Sequence, residues 1–283
     1  MADTYFHGVV YAFIHIPKTG GSTLRHALRC SFGARHCDIK LPPAVRERQP
    51  WILPRDVQVA RRVYPALKGI CGHRVTCFSG LEKEVSGIRY FTLLRDPFKR
   101  FVSHYHHHLR VDKLPYTKET LTEFVAGPGR RNIISRMLCG EEDGAAAIDR
   151  IHQHNVFIGL TERFDESFCL LADWLGDPAL QLNYETRNKA PSPCPLPIAE
   201  DADLHAIVQD ATAEDQRVYQ HVTEHIYPRQ QQAYGGKLHE AVASLRSRNV
   251  ETRPLREPIW GKVKRGYLYK PFIHMAYSGS GKN

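Results

Sequence analysis

VVYAFIHIPKTGGSTLRHAL, residues Val9 to Leu28, decides how the rest of the chain is read. Val9 to Ile16 is an apolar run rich in β-branched and aromatic residues, the signature of a buried strand. Pro17 cannot donate to a ladder and should end that strand. Lys18-Thr19-Gly20-Gly21-Ser22 follows, and then Leu24 and Leu28 fall on one face of a helix. Adjacent glycines let backbone N–H groups approach a ligand closely. The helix start adds unpaired donors and the positive end of its dipole, and Lys18 adds a full charge. A strand, a glycine-rich turn and a helix so arranged form a site for a tetrahedral anion on a nucleotide.

The order of residues narrows the anion. A Walker phosphate loop places its lysine after the glycines, whereas Lys18 precedes them. HIPKTGGST instead resembles the 5′-phosphosulfate loop of sulfotransferases that use 3′-phosphoadenosine 5′-phosphosulfate (PAPS). It is most similar to the carbohydrate sulfotransferases of the Golgi, the heparan sulfate 2-O-sulfotransferase type among them, and to their soluble bacterial relatives. That resemblance implies donor contacts from Lys18, Thr19, Gly20, Gly21, Ser22 and Thr23. The same stretch also suits an ordinary first strand–helix turn of an α/β protein.

Length and composition set the bounds. The chain has 283 residues, 42% of them hydrophobic, enough for one large domain or a domain with an appendage. Its net charge of +9 suits an anionic ligand. The basic residues are dispersed rather than gathered into a nucleic-acid tail, and no nucleic-acid motif is apparent. Seven cysteines without a C-x-x-C pair read as free thiols in a reducing compartment and argue against zinc. Gly8 to Ile16 is too short to span a bilayer. The expectation is a soluble cytoplasmic protein without a membrane span and without the N-terminal anchor of the Golgi relatives.

Further strands are expected at Leu67–Gly72, Arg89–Leu94, Val156–Leu160 and Leu180–Tyr184, with Arg35 to Pro54 as a long loop. Asp96 suits an N-cap and Pro97 a first helical position, so a helix should run from there to about Arg110. Helical patterns cover Lys118–Val125, Arg131–Leu138, Ala145–His152, Phe164–Leu175, Thr212–Tyr227 and Arg229–Arg246. Residues 1–249 read as one domain, and 250–283 as a basic, aromatic tail without clear period, packed on that domain. Strands alternating with helices predict a P-loop-like, three-layer α/β/α fold around a mostly parallel sheet. Ligands on such sheets bind at the carboxyl ends of strands.

Two further motifs follow such strand ends. LLRDPFKRFVSHY resembles the family's 3′-phosphate stretch, in which a strand-end arginine and a serine eight residues later converge; Arg95 and Ser103 have that spacing. Arginine suits phosphate as a bidentate fork. In GHRVTCF, Gly72-His73 and Phe78 resemble the stretch that carries the histidine base in the 2-O-sulfotransferase branch. A histidine can take a hydroxyl proton at neutral pH. His15 is the competing base, and a structural role is the plain alternative for His73. Arg187 and Lys189 lie where relatives place a basic loop over the nucleotide.

His104, His106, His107 and His108 invite a metal reading, but no nearby Cys, Asp or Glu completes a set. The resemblance therefore implies sulfuryl transfer from PAPS to an acceptor hydroxyl, most naturally of a carbohydrate, with Lys18 and His73 catalytic and no metal. The rivals are a nucleotide kinase or NTPase on a related fold and a non-catalytic polyanion-binding protein.

Overall fold

The structure is a computed structural model that describes residues 10–185, 192–251 and 255–278. In chain order its elements are β1 (Tyr11–Ile14), α1 (Gly21–Phe32), β2 (His36–Asp38), α2 (Pro43–Arg46), α3 (Pro54–Val63), β3 (Gly69–Gly72), β4 (Arg89–Leu94) and α4 (Pro97–Asp112). Then come α5 (Lys118–Ala126), α6 (Ile133–Cys139), α7 (Gly144–Gln153), β5 (Phe157–Leu160) and α8 (Phe164–Leu175). The helices α9 (Ala202–Ala211), α10 (Ala213–His221), α11 (Tyr227–Gln232), α12 (Leu238–Glu251), α13 (Ile259–Val263) and α14 (Lys270–Ser278) complete the chain.

The five strands form one sheet in the order β2-β3-β1-β4-β5. Every ladder is parallel, with Tyr11 opposite both Gly69 and Arg89, and Phe91 opposite Phe157. Parallel strands are covered on both faces and so read as unbroken apolar runs; all four residues of β1 are buried. The chain leaves β1 towards β2 on one side, and leaves β4 towards β5 on the other. With right-handed crossovers, α1 covers one face and, from the β4–β5 connection, α6 and α7 the other, giving three layers, while α4 and α5 form a separate apolar cluster with α9. β1 lies at this change of direction, where an open sheet leaves a crevice beyond its strand ends.

Leu24, Ala27 and Leu28 of α1 are buried in the main core, and a buried leucine stabilises by about 1.5–3 kcal/mol. Replacing Leu24 by Ala would cost about 2–5 kcal/mol. At the other central connection Asp96 caps α4, accepting from the Lys99 backbone N–H at 2.8 Å, and Pro97 takes the first helical position as expected.

Three sequence expectations fail, one of them the single helix over Arg229–Arg246, which is interrupted between α11 and α12. The segment read as a long loop contains β2, three residues that pair with β3. Leu180–Tyr184 forms no strand. Leu180 is buried in the core, and the Tyr184 phenol donates to the Asp165 carboxylate of α8, so this segment packs by side chains instead of extending the sheet. The terminal segment is helical from Ile259 to Ser278, with a π-helical turn at Lys264–Tyr269. Pro271 follows that turn, as Pro228 follows the π turn Val222–Ile226; proline removes a helical donor, and a widened turn accommodates the loss. The terminal helices pack on the rest of the protein through buried Tyr269 and Ile273 and through the Tyr277 hydroxyl, which donates to Asp56.

Candidate active site

The three motifs meet above the strand ends. β1, β3 and β4 are neighbours, so the turns that follow them are neighbours too. His73 follows β3, and its Nδ1 donates to the carbonyl of His15 at 2.6 Å. Arg95 follows β4, and its Nη1 donates to the carbonyl of Lys18 at 3.4 Å. Thr161, after β5, donates to the carbonyls of Thr19 and Leu94 at 2.7 and 2.8 Å. The turn Pro17–Gly20 is therefore held from both sides.

Its backbone is unusual. Lys18 has φ 69° and Gly20 φ 77°, both left-handed. Such a conformation is rare for a lysine and is a local strain that the surrounding contacts must hold. Thr19 is buried and its hydroxyl donates to the Ile16 carbonyl at 2.9 Å. Gly21, the first residue of α1, is required by crowding: a Cβ there would lie 2.2 Å from His15 Cδ2.

His15 and His73 divide the chemistry that sequence left open between them. His15 is buried, its ring stacked between Phe13 at 5.3 Å and His73 at 4.2 Å between centroids, and its Nδ1 has no partner. Burial, and then the neighbouring His73 and Arg25, lower its pKa from 6.5 to about 2, so it stays neutral. His73 reaches solvent. The protein around it still withdraws enough water to lower its pKa, against the bond to the His15 carbonyl, which raises it; Arg25 and Lys40 lower it further. With its Nδ1 proton given to a carbonyl, neutral His73 presents the Nε2 lone pair outward, the tautomer a base needs.

Lys18 is half-buried, and its pKa is lowered by burial first and then by Arg95 and Arg110. His104, His106 and His107 also feel its charge, so this stretch of α4 lies on the Lys18 side. Ser103, His107 and Arg110 recur at i, i+4 and i+7 and form one stripe of that helix. Ser103 is partly exposed on it. Arg187 and Lys189 lie outside the described residues.

Three of the four helical histidines have partners of their own. His104 Nε2 accepts from Arg130 at 3.2 Å, His106 Nδ1 meets the Tyr116 hydroxyl at 2.9 Å, and His108 pairs with Asp112 at 2.7 Å. Among the described residues one group, His36, Asp38 and Cys71, brings potential metal ligands within 4.8 Å. Burial opposes ionisation of Asp38, but His36 and Arg29 override it and hold the carboxylate charged. Burial raises the Cys71 thiol pKa, so it stays protonated. With Arg29 and Arg265 already on Asp38, the group is a buried ion cluster, in which Asp38 Oδ1 and His36 Nε2 make no hydrogen bond among the described residues.

Sequence reasoning missed Arg25 and Thr161. Arg25 sits in the second turn of α1, its Nε buried without a partner and its charge felt by both histidines. No motif marks it. Thr161 directly follows the expected strand Val156–Leu160, and that position was the available signal.

A family model described as "Sulfotransferase family" matches residues 7–234, most of the chain. The chain belongs to the sulfotransferase family. Membership makes it an enzyme that transfers sulfate, using a sulfuryl donor and an acceptor. The three loops above all lie within the matched range. Among solved structures, it is similar to a sulfotransferase from Alicyclobacillus acidocaldarius at 14% identity, with a TM-score of 0.45, over 76% of this chain and 96% of that one. No curated protein matches it significantly. Among the described residues, no helix is long and apolar enough to cross a membrane.

Proposed function

We propose that this sulfotransferase moves the sulfuryl group of PAPS to a hydroxyl of a carbohydrate acceptor by in-line displacement, with His73 as base. The observation that carries the reading is the joining of the three motif loops: His73 bonded to the carbonyl of His15, and Arg95 to the carbonyl of Lys18.

PAPS supplies an activated sulfuryl group; the acceptor oxygen forms the new bond to sulfur while the bond from sulfur to the phosphate oxygen breaks. His73 Nε2 takes the hydroxyl proton as the nucleophile attacks. Lys18 neutralises the charge that builds on the departing bridging oxygen. Backbone donors from Thr19 to Thr23 hold the 5′-phosphate at the start of α1. Arg95 and Ser103 bind the 3′-phosphate, and Arg187 contributes to nucleotide binding. His15 positions His73 from below: its carbonyl fixes the tautomer and its neutral ring supports the stack.

Incubation of the pure protein with radiolabelled PAPS and a panel of sugars, phenols and peptides tests the reading. Label should appear on a sugar, and the His73→Ala variant should lose it. Transfer to phenols or peptides alone would refute the carbohydrate acceptor. Transfer that survives His73→Ala at the wild-type rate would remove the base.

A further inference from the structure

Of the seven large apolar side chains exposed among the described residues, five lie on the terminal helical segment: Ile259 and Trp260 at 76%, Tyr267 at 79%, Leu268 at 53% and Met275 at 67%. Trp260, Tyr267 with Leu268, and Met275 recur at intervals of seven or eight residues, about two helical turns. The segment is no loosely attached end. Buried Tyr269 and Ile273 anchor it in the main core, Arg265 pairs with Glu257, and Gly261 packs against Gly33. Its apolar stripe is thus held outward by an anchored helix, and a contiguous exposed apolar patch marks an interaction surface.

The charge around the stripe identifies the partner. From Ile259 to Ser278 the sequence holds Lys262, Lys264, Arg265 and Lys270 and no acidic residue. Lys262 and Lys270 are exposed beside the aromatic residues. Two copies of the chain meeting through this face would bring those lysines together with no carboxylate on the segment to answer them, because a two-fold contact sets the same patch against itself. An anionic lipid surface answers both features: Trp and Tyr settle at the headgroup level, aliphatic side chains enter the acyl boundary, and lysines meet the negative headgroups. We propose that the helical face carrying Trp260, Tyr267, Leu268 and Met275 docks this protein, peripherally and reversibly, on membranes rich in anionic phospholipid.

Cosedimentation of the full chain with vesicles tests this. The protein should pellet with vesicles of phosphatidylcholine mixed with phosphatidylglycerol, remain in solution with pure phosphatidylcholine, and be released by high salt. Each basic residue at an anionic surface is worth about fivefold in affinity, so Lys262→Glu with Lys270→Glu should weaken binding by about 25-fold or more. Trp260→Ser with Leu268→Ser should also weaken it. Both pairs alter exposed side chains, so circular dichroism and melting should match the wild type. Failure of the wild type to pellet with anionic vesicles would overturn the proposal, as would undiminished binding by the Trp260/Leu268 variant. Sedimentation equilibrium showing a dimer that these variants dissociate would overturn it too, assigning the face to a second copy.

Discussion

Replacing Gly21 by Ala tests the architecture under the proposed base. The added Cβ would stand 2.2 Å from His15 Cδ2, 2.4 Å from its Nε2 and 3.2 Å from Phe13 Cζ. Relief requires the His15 ring to move by more than an ångström, yet that ring is buried between Phe13 and His73. Overpacking of this kind costs about 1–3 kcal/mol, and alanine returns up to about 1 kcal/mol of helix propensity at the start of α1. A net loss of up to about 2 kcal/mol should lower the melting temperature by up to about 8 °C in a chain of this size. Turnover should suffer more than stability, because His73 rests on the displaced ring and a misplacement near 1 Å can cost about 10²-fold. Calorimetric melting and initial rates with radiolabelled PAPS read the two effects. In a His15→Ala/Gly21→Ala double variant the methyl gains room, so the stability losses should not add; coupling of about 0.5–3 kcal/mol is expected for contacting residues. Wild-type melting and turnover in Gly21→Ala, or strictly additive losses in the double variant, would refute the packing of His15 against the loop.

Three further outcomes follow from the same geometry. Lys18→Ala should lower kcat far more than nucleotide affinity, since its contact strengthens as charge develops on the leaving oxygen; normal kcat with a raised KM would assign Lys18 to binding alone. His73→Ala should keep nucleotide affinity and lose about 10²–10⁴-fold in transfer; in the wild type, activity should persist below pH 6.5 and fall as pH drops through the lowered His73 pKa, and an acid limb centred above 6.5 would contradict that environment. His15, at about 2 folded against 6.5 unfolded, makes the unfolded chain the better proton binder between those values. Its contribution to stability is therefore present above pH 6.5 and is lost as pH falls, by about 2 kcal/mol at pH 5; denaturant melts of a His15→Gln variant that keep the full acid sensitivity would sink this assignment.

The centre of the fold was legible because several local signals agreed there. The apolar run to Ile16, the glycines and the spacing of Leu24 and Leu28 each pointed to strand, turn and helix, and Asp96-Pro97 marked the start of α4. β2 was hidden because His36–Asp38 is short and polar and owes its conformation to pairing with β3. Leu180–Tyr184 has an alternating pattern, yet its apolar residues found cover against the core and α8. The terminal helices were masked by Gly261, Gly266 and Pro271, and buried Tyr269 and Ile273 hold what local propensity would not. Within the site, Lys18, His73 and Arg95 stood out by motif. The stacking of His15 beneath His73, and the approach of Arg25, are tertiary facts without a sequence pattern.

A site built for a nucleotide with a 3′-phosphate can be tested without knowledge of the acceptor, by calorimetric titration with 3′-phosphoadenosine 5′-phosphate and with AMP. A charge-assisted contact from Arg95, joined by the Ser103 hydroxyl, should contribute about 1.5–3 kcal/mol that AMP cannot gain. The 3′-phosphorylated nucleotide should therefore bind about 10- to 150-fold more tightly, and Arg95→Ala should erase most of that difference while leaving AMP affinity nearly unchanged. Equal affinity of the wild-type protein for the two nucleotides would remove the 3′-phosphate site from Arg95 and Ser103.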